Sequence, residues 1–166
     1  APAPRDDPEA VVEVALDLPR DGGSSLALGV GPVDEPLPAV SREASGTAFV
    51  RAREAVEQAK SRAAAAPVAV RGEPAARAAE GEALLRLLAA VVDRRTAPGW
   101  EAVDALARVG GTQKDVARAL GVSEQAVSQR LRTALWPEEA AARPVVARLL
   151  GELHEGPPAD RQEEKA

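Results

Sequence analysis

Alanine dominates this chain: 37 of its 166 residues are Ala, about half of everything counted as hydrophobic. Only 38 side chains (Leu, Val, Trp and Phe) are large enough to fill a core, and Ile, Met, Tyr and Asn are absent. Helices tolerate such a composition best, because Ala loses no rotamer freedom there. A large sheet-based enzyme core would need more bulk. The length allows one ordinary domain or two small ones. With no Cys, disulfide scaffolds, Cys-based zinc and iron–sulfur sites and thiol catalysis are excluded. No apolar run approaches 18 residues, so a membrane span is not expected, and the reading is cytoplasmic. The bias of Arg over Lys suggests GC-rich coding, and the start without Met leads us to expect a processed or internal start and an incomplete N-terminal region.

The formal charge of −5 alone argues against a nucleic-acid partner. Its distribution argues otherwise. Residues 108–136 carry Arg108, Lys114, Arg118, Arg130 and Arg132 against Asp115 and Glu124, a local +3 within an acidic chain.

Residues 1–7 are Pro-rich, charged and expected to be mobile. Asp7-Pro8 reads as a helix start, with Val11, Val14, Ala15 and Leu18 on one face, closed by Pro19 and Asp21-Gly22-Gly23. Leu26, Leu28 and Val30 alternate as a strand of about six residues ending at Gly31-Pro32. A loop over 32–45 precedes a helix from Gly46 to Ser61 that presents Phe49, Ala52, Val56 and Ala59. Val68 and Val70 make a second strand, ended by Arg71-Gly72. From Pro74 the pattern is helical, with a stripe of Leu84, Leu85, Leu88, Val91 and Val92 that Pro98-Gly99 should break. Trp100, Val103, Leu106 and Ala107 mark the next helix, ended by Gly110-Gly111. After two shorter helices, Pro137 opens a last one, with Glu138 and Glu139 in its first turn. Pro144 should kink it, and Val145, Val146, Leu149, Leu150 and Leu153 should form its buried face. A charged, disordered tail is expected from His154 onward.

The stretch from Thr112 to Leu131 carries the most information. Thr112 can cap a helix whose third residue is Asp115, an Asp variant of the capping box. Val116, Ala117 and Leu120 face inward, and Gly121 supplies a left-handed corner. Val122 plugs that corner, Ser123 caps the next helix, and Val127 and Leu131 face back at the first. Ala117 is small where the two helices must approach most closely. These positions resemble the helix-turn-helix of bacterial repressors and of the promoter-reading module of sigma factors, over about twenty residues. The resemblance implies that the second helix, within 123–134, enters a DNA major groove. Ser123, Gln125, Ser128, Gln129 and Arg132 then become candidate base or phosphate contacts, since Gln suits adenine and Arg guanine. Glu124 reads as a helix-start charge or as an acceptor from cytosine. Lys114, Arg118 and Arg130 suit phosphates, although Arg130 could instead pair with Glu138 or Glu139. Thr112 and Gln113 would present N–H groups to a phosphate.

Three weaker stretches, Leu26–Gly31, Gly46–Ala55 and Val68–Arg71, resemble parts of the SatD family, which joins a ferredoxin-like N-terminal region to a C-terminal helix-turn-helix. They are also similar to the second half of nucleotide-cyclase-like domains. The family's opening strand and the acidic metal-holding residues of the cyclase relatives have no match here, so cyclase chemistry is not implied. The expected fold is mostly α with a small α+β part: a partial ferredoxin-like N-terminal region, then a helical bundle containing the helix-turn-helix. The expected divisions are 1–73, 74–154 and a tail, 155–166.

No catalytic constellation stands out. The single His154 lies beyond the last apolar residue, and Gly29-Val30-Gly31 lacks the third glycine of a dinucleotide fingerprint. Asp104 and Asp115 suggest no carboxylate pair, and Asp93-Arg94-Arg95 reads as a solvated helix end. The expectation is therefore a non-enzymatic, sequence-specific DNA-binding regulator without metal or cofactor. Its partners would be double-stranded DNA, a second copy of the chain and a small-molecule effector of unspecified class. The Leu84–Val92 stripe and the Val145–Leu153 face are candidate self-association surfaces, or else plain core. Two other readings stay open: a module docking on RNA polymerase or another protein, and a degenerate nucleotide-binding domain with a helical tail.

Overall fold

The structure, a computed structural model, describes residues 7–21, 25–34, 45–61 and 68–155. Among these the chain is mostly helical, with seven α-helices and one two-stranded parallel sheet. No described helix is long and apolar enough to cross a membrane.

Helix α1 (Pro8–Asp17) starts as expected, the Asp7 carboxylate accepting from the Glu9 N–H at 2.9 Å, and it ends in a 3₁₀ turn, Leu18–Asp21. Strand β1 (Leu26–Gly29) has four residues, shorter than the alternation suggested. Helix α2 (Thr47–Ser61) crosses over to strand β2 (Val68–Arg71), which pairs in parallel with Leu26 opposite Val68 and Gly29 opposite Arg71. Helix α2 lies on one face of the sheet, so close that a Cβ on Gly29 would stand 2.2 Å from the Ala48 carbonyl oxygen.

The other face meets helix α3 (Ala75–Asp93), beside α1 and the last helix, α7 (Trp136–Glu155). The main core collects Val12, Leu16, Val70, Leu85, Leu88, Val92, Val146, Leu150 and Leu153 there, so it draws on both sides of residue 73. Leu85, Leu88 and Val92 of the α3 stripe and Val146, Leu150 and Leu153 of the α7 face thus pack into this core. A second, smaller core belongs to helices α4 (Ala97–Val109), α5 (Gln113–Leu120) and α6 (Glu124–Thr133).

Several expectations need correction. On α1 the buried residues are Val12, Ala15 and Leu16, while Val14 is exposed. On α2 they are Ala48, Ala55 and Ala59, and Val56 is exposed, because only alanines fit so close to Gly29. Helix α3 ends at Asp93, and Thr96 caps α4, so Pro98-Gly99 lies in the first turn of α4 and does not break α3. Proline suits that position because the N–H it lacks is unsatisfied there anyway. In α4, Ala102 and Ala105 are buried and Ala107 is exposed. Helix α7 extends past His154, with Pro144 inside it, and Val145 stays exposed. The expected mobile start (1–6), the glycine breaker (22–24), most of the 32–45 loop (35–44) and the tail from 156 lie outside the described residues, as does the His154 side chain.

The largest correction concerns Arg95 and Glu139. The sequence suggests a solvated helix end at Arg95 and a first-turn acid at Glu139, yet neither side chain exposes any surface, and they form an ion pair. Arg143 also donates to Glu139, from Nε at 2.9 Å and Nη2 at 2.6 Å. Arg95 further reaches the Ala134 carbonyl at 3.3 Å and lies 4.6 Å from the centre of the Trp100 ring. Arg20 sits 4.0 Å from the same ring and binds Asp104 at 2.6 Å. This cluster joins the two cores.

Candidate nucleic-acid interface

The three short helices form a compact unit because their ends are specified residue by residue. Helix α4 stops at Gly110, whose φ of 60° is left-handed. The Thr112 hydroxyl accepts the Asp115 N–H at 3.4 Å, and Asp115 accepts the Thr112 N–H at 3.0 Å and its hydroxyl at 2.7 Å, completing the box. These Thr112 contacts hold the Asp115 carboxyl below the ordinary carboxylate range, with a smaller contribution from Arg118 and partial opposition from burial. Gly121 (φ 66°) turns the corner, and the Ser123 hydroxyl accepts the Ala126 N–H at 3.1 Å to start α6.

Inside, Val116 and Val127 are fully buried, with Ala117 and Leu131 nearly so. The helix pair is therefore bent, with α5 and α6 separate elements packed on α4. Outside, Gln125, Gln129 and Arg132 are exposed, with Ser128 half-buried beside them. They fall at i, i+3, i+4 and i+7, one stripe of α6 opposite its packed face. Within the stripe, Arg132 donates to the side-chain Oε1 of Gln129 at 2.6 Å, and the Gln129 side-chain amide faces the Thr133 hydroxyl at 3.5 Å.

The remaining site residues divide. Thr112, Gln113, Lys114 and Ser123 are exposed at helix starts. Arg118 is exposed and pairs with Asp115 at 3.1 Å. Arg130 turns back to Glu101 on α4 at 3.1 Å, not to Glu138 or Glu139. Arg130 is therefore drawn into the unit's own packing and away from the outer stripe. Arg108, Lys114 and Arg132 carry no ion pair among the described residues.

An open groove of about 390 Å³ runs beside α6, lined by Leu106, Gly111, Gln113, Ser128, Leu131, Arg132, Trp136 and Pro137. Sequence reasoning did not assign Trp136 to the site. One of only two Trp in the chain, just before Pro137 and five residues after Leu131, was the available signal.

Comparison with family models, with curated proteins and with solved structures gave no match.

Proposed function

We propose that the chain is a sequence-specific DNA-binding protein, a transcriptional regulator that inserts α6 into the major groove. The observation carrying this reading is the outward stripe of Gln125, Ser128, Gln129 and Arg132 on a helix capped by Ser123 and packed inward through Val127 and Leu131. A ten-residue helix spans about 15 Å, and the major groove is wide enough to admit it. Gln125 and Gln129 can each address an adenine edge and Arg132 a guanine. Lys114 and Arg118, with the helix start at Thr112 and Gln113, would meet phosphates, which position the helix without reading sequence. The β1–α2–β2 unit pairs its two strands directly in parallel and so departs from the split pairing of a ferredoxin-like layer; we propose a SatD-like protein in which that layer senses an effector or joins two copies.

With Lys114 and Arg118 on phosphates, one copy should bind with a salt slope of about −2 on logarithmic axes, and two copies with about twice that. Random-site selection followed by fluorescence anisotropy tests the reading. Gln129→Ala and Arg132→Ala should each weaken the selected duplex more than a scrambled one. Equal losses on both duplexes, or no binding of any duplex at low salt, refute it.

The groove supports a second reading. Leu106, Leu131 and Trp136 give it an apolar lining suited to a protein partner, and such a contact should be nearly insensitive to salt.

A further inference from the structure

The two edges of the small sheet differ. The outer edge of β2 is sealed by α3: Glu82 accepts the Val70 N–H at 2.9 Å, and Arg86 Nε donates to the Val68 carbonyl at 2.8 Å. Among the described residues, nothing seals the outer edge of β1. Val30 donates to Arg71 at 2.8 Å, so Leu26, Leu28 and Val30 direct their backbone groups toward β2. By alternation, the N–H and C=O of Ala27 and Gly29 point the other way, where no described backbone group meets them. Every residue of β1 is only half-buried, whereas three of the four in β2 are buried. Among the described residues, the apolar layer thus ends at β1.

What completes it must be an extended strand with large apolar side chains toward the main core and small ones toward α2. Strand β1 itself has that pattern, with Leu26, Leu28 and Val30 on one face and Ala27 and Gly29 on the other. We infer that β1 pairs with β1 of a second copy, antiparallel about a twofold axis through Leu28, to give a continuous four-stranded sheet. Ala27 then exchanges both hydrogen bonds with Gly29 of the second copy, and Gly29 with its Ala27, four bonds in all. A twofold axis normal to the sheet keeps the faces matched. The flank of α2 adds a contact. Arg51 reaches the Val30 carbonyl at 2.7 Å on the β2 side, and at 100° per residue Phe49 and Val56 lie on the opposite flank, above the open edge. Val56 remains 39% exposed there, and pairing would bring the two flanks together.

The inference does not depend on DNA binding. Sedimentation equilibrium of the full chain should give twice 17.2 kDa. Ala27→Pro removes one outward N–H and no bond to β2, so it should return the mass to a single chain with the helical circular dichroism unchanged. In the unaltered protein, exchange of the Ala27 and Gly29 amides should slow at least about tenfold over the concentrations at which the dimer forms. That second measurement decides the matter if Ala27→Pro fails to fold. A monomer at all accessible concentrations overturns the inference. So does a folded Ala27→Pro dimer, or a dimer in which these two amides exchange freely.

Discussion

Replacing Glu139 by Gln should destabilise the protein far more than its place in the first turn of an exposed-looking helix suggests. The substitution keeps the shape and removes the charge. Arg95 is then left with no exposed surface and no carboxylate, facing a neutral side-chain amide, the Ala134 carbonyl and the Trp100 ring, and its Nε and Nη1 already lack partners. Breaking a buried pair by removing one partner costs about 3–5 kcal/mol. For a chain of this size that corresponds to a fall in Tm of roughly 6–20 °C. Arg143 retains partial exposure and can rehydrate, so Arg143→Ala should cost less than Glu139→Gln. Urea unfolding followed by circular dichroism supplies the free energies. The double variant Arg95→Met with Glu139→Leu should recover most of the loss, because a packed apolar pair leaves no orphaned charge. A cost below about 1 kcal/mol for Glu139→Gln, or a double variant as damaged as the sum of the singles, would refute the reasoning.

Three other perturbations probe separate parts of the fold. Ala117→Leu inserts bulk where α5 and α6 cross, and should cost about 1–3 kcal/mol in urea unfolding. Gly121→Ala has open space for its methyl and only the left-handed backbone to oppose it, about 1–2 kcal/mol, whereas Gly29→Ala drives a methyl into the α2 backbone and should cost more; thermal melts of the two rank them. Because the folded-state pKa of Asp115 is depressed, the stability it contributes is present above the ordinary carboxylate value and disappears as pH falls through the folded value. The Tm difference between the parent and Asp115→Asn should therefore shrink on acidification below about pH 4.

How much of this was legible depended on the range of the interactions. The 112–131 unit could be read because capping, corner and packing residues lie within a few positions of one another, and each has a short list of chemically acceptable occupants. The face of α1 could not. Val11, Val12 and Val14 are equally apolar, and only the packing of α1 against α7 selects Val12 and Leu16. On α2 the size cue ran backwards, since the close approach at Gly29 selects the smallest side chains. The spacing of Ala48, Ala52, Ala55 and Ala59 beside a strand glycine was a signal for it. Arg95 and Glu139 stand 44 residues apart, and nothing local joins them.

Between α6 and α7 the chain reverses through Leu135, whose φ of 53° is the only left-handed one among the described non-glycine residues. Glycine would enter that conformation freely, and would also leave it freely. A leucine stays there only at a cost of about 1–2 kcal/mol, so the packing of the helices on either side has to hold the elbow in place. Replacing Leu135 by Gly would remove that cost and leave the angle between α6 and α7 to their packing alone.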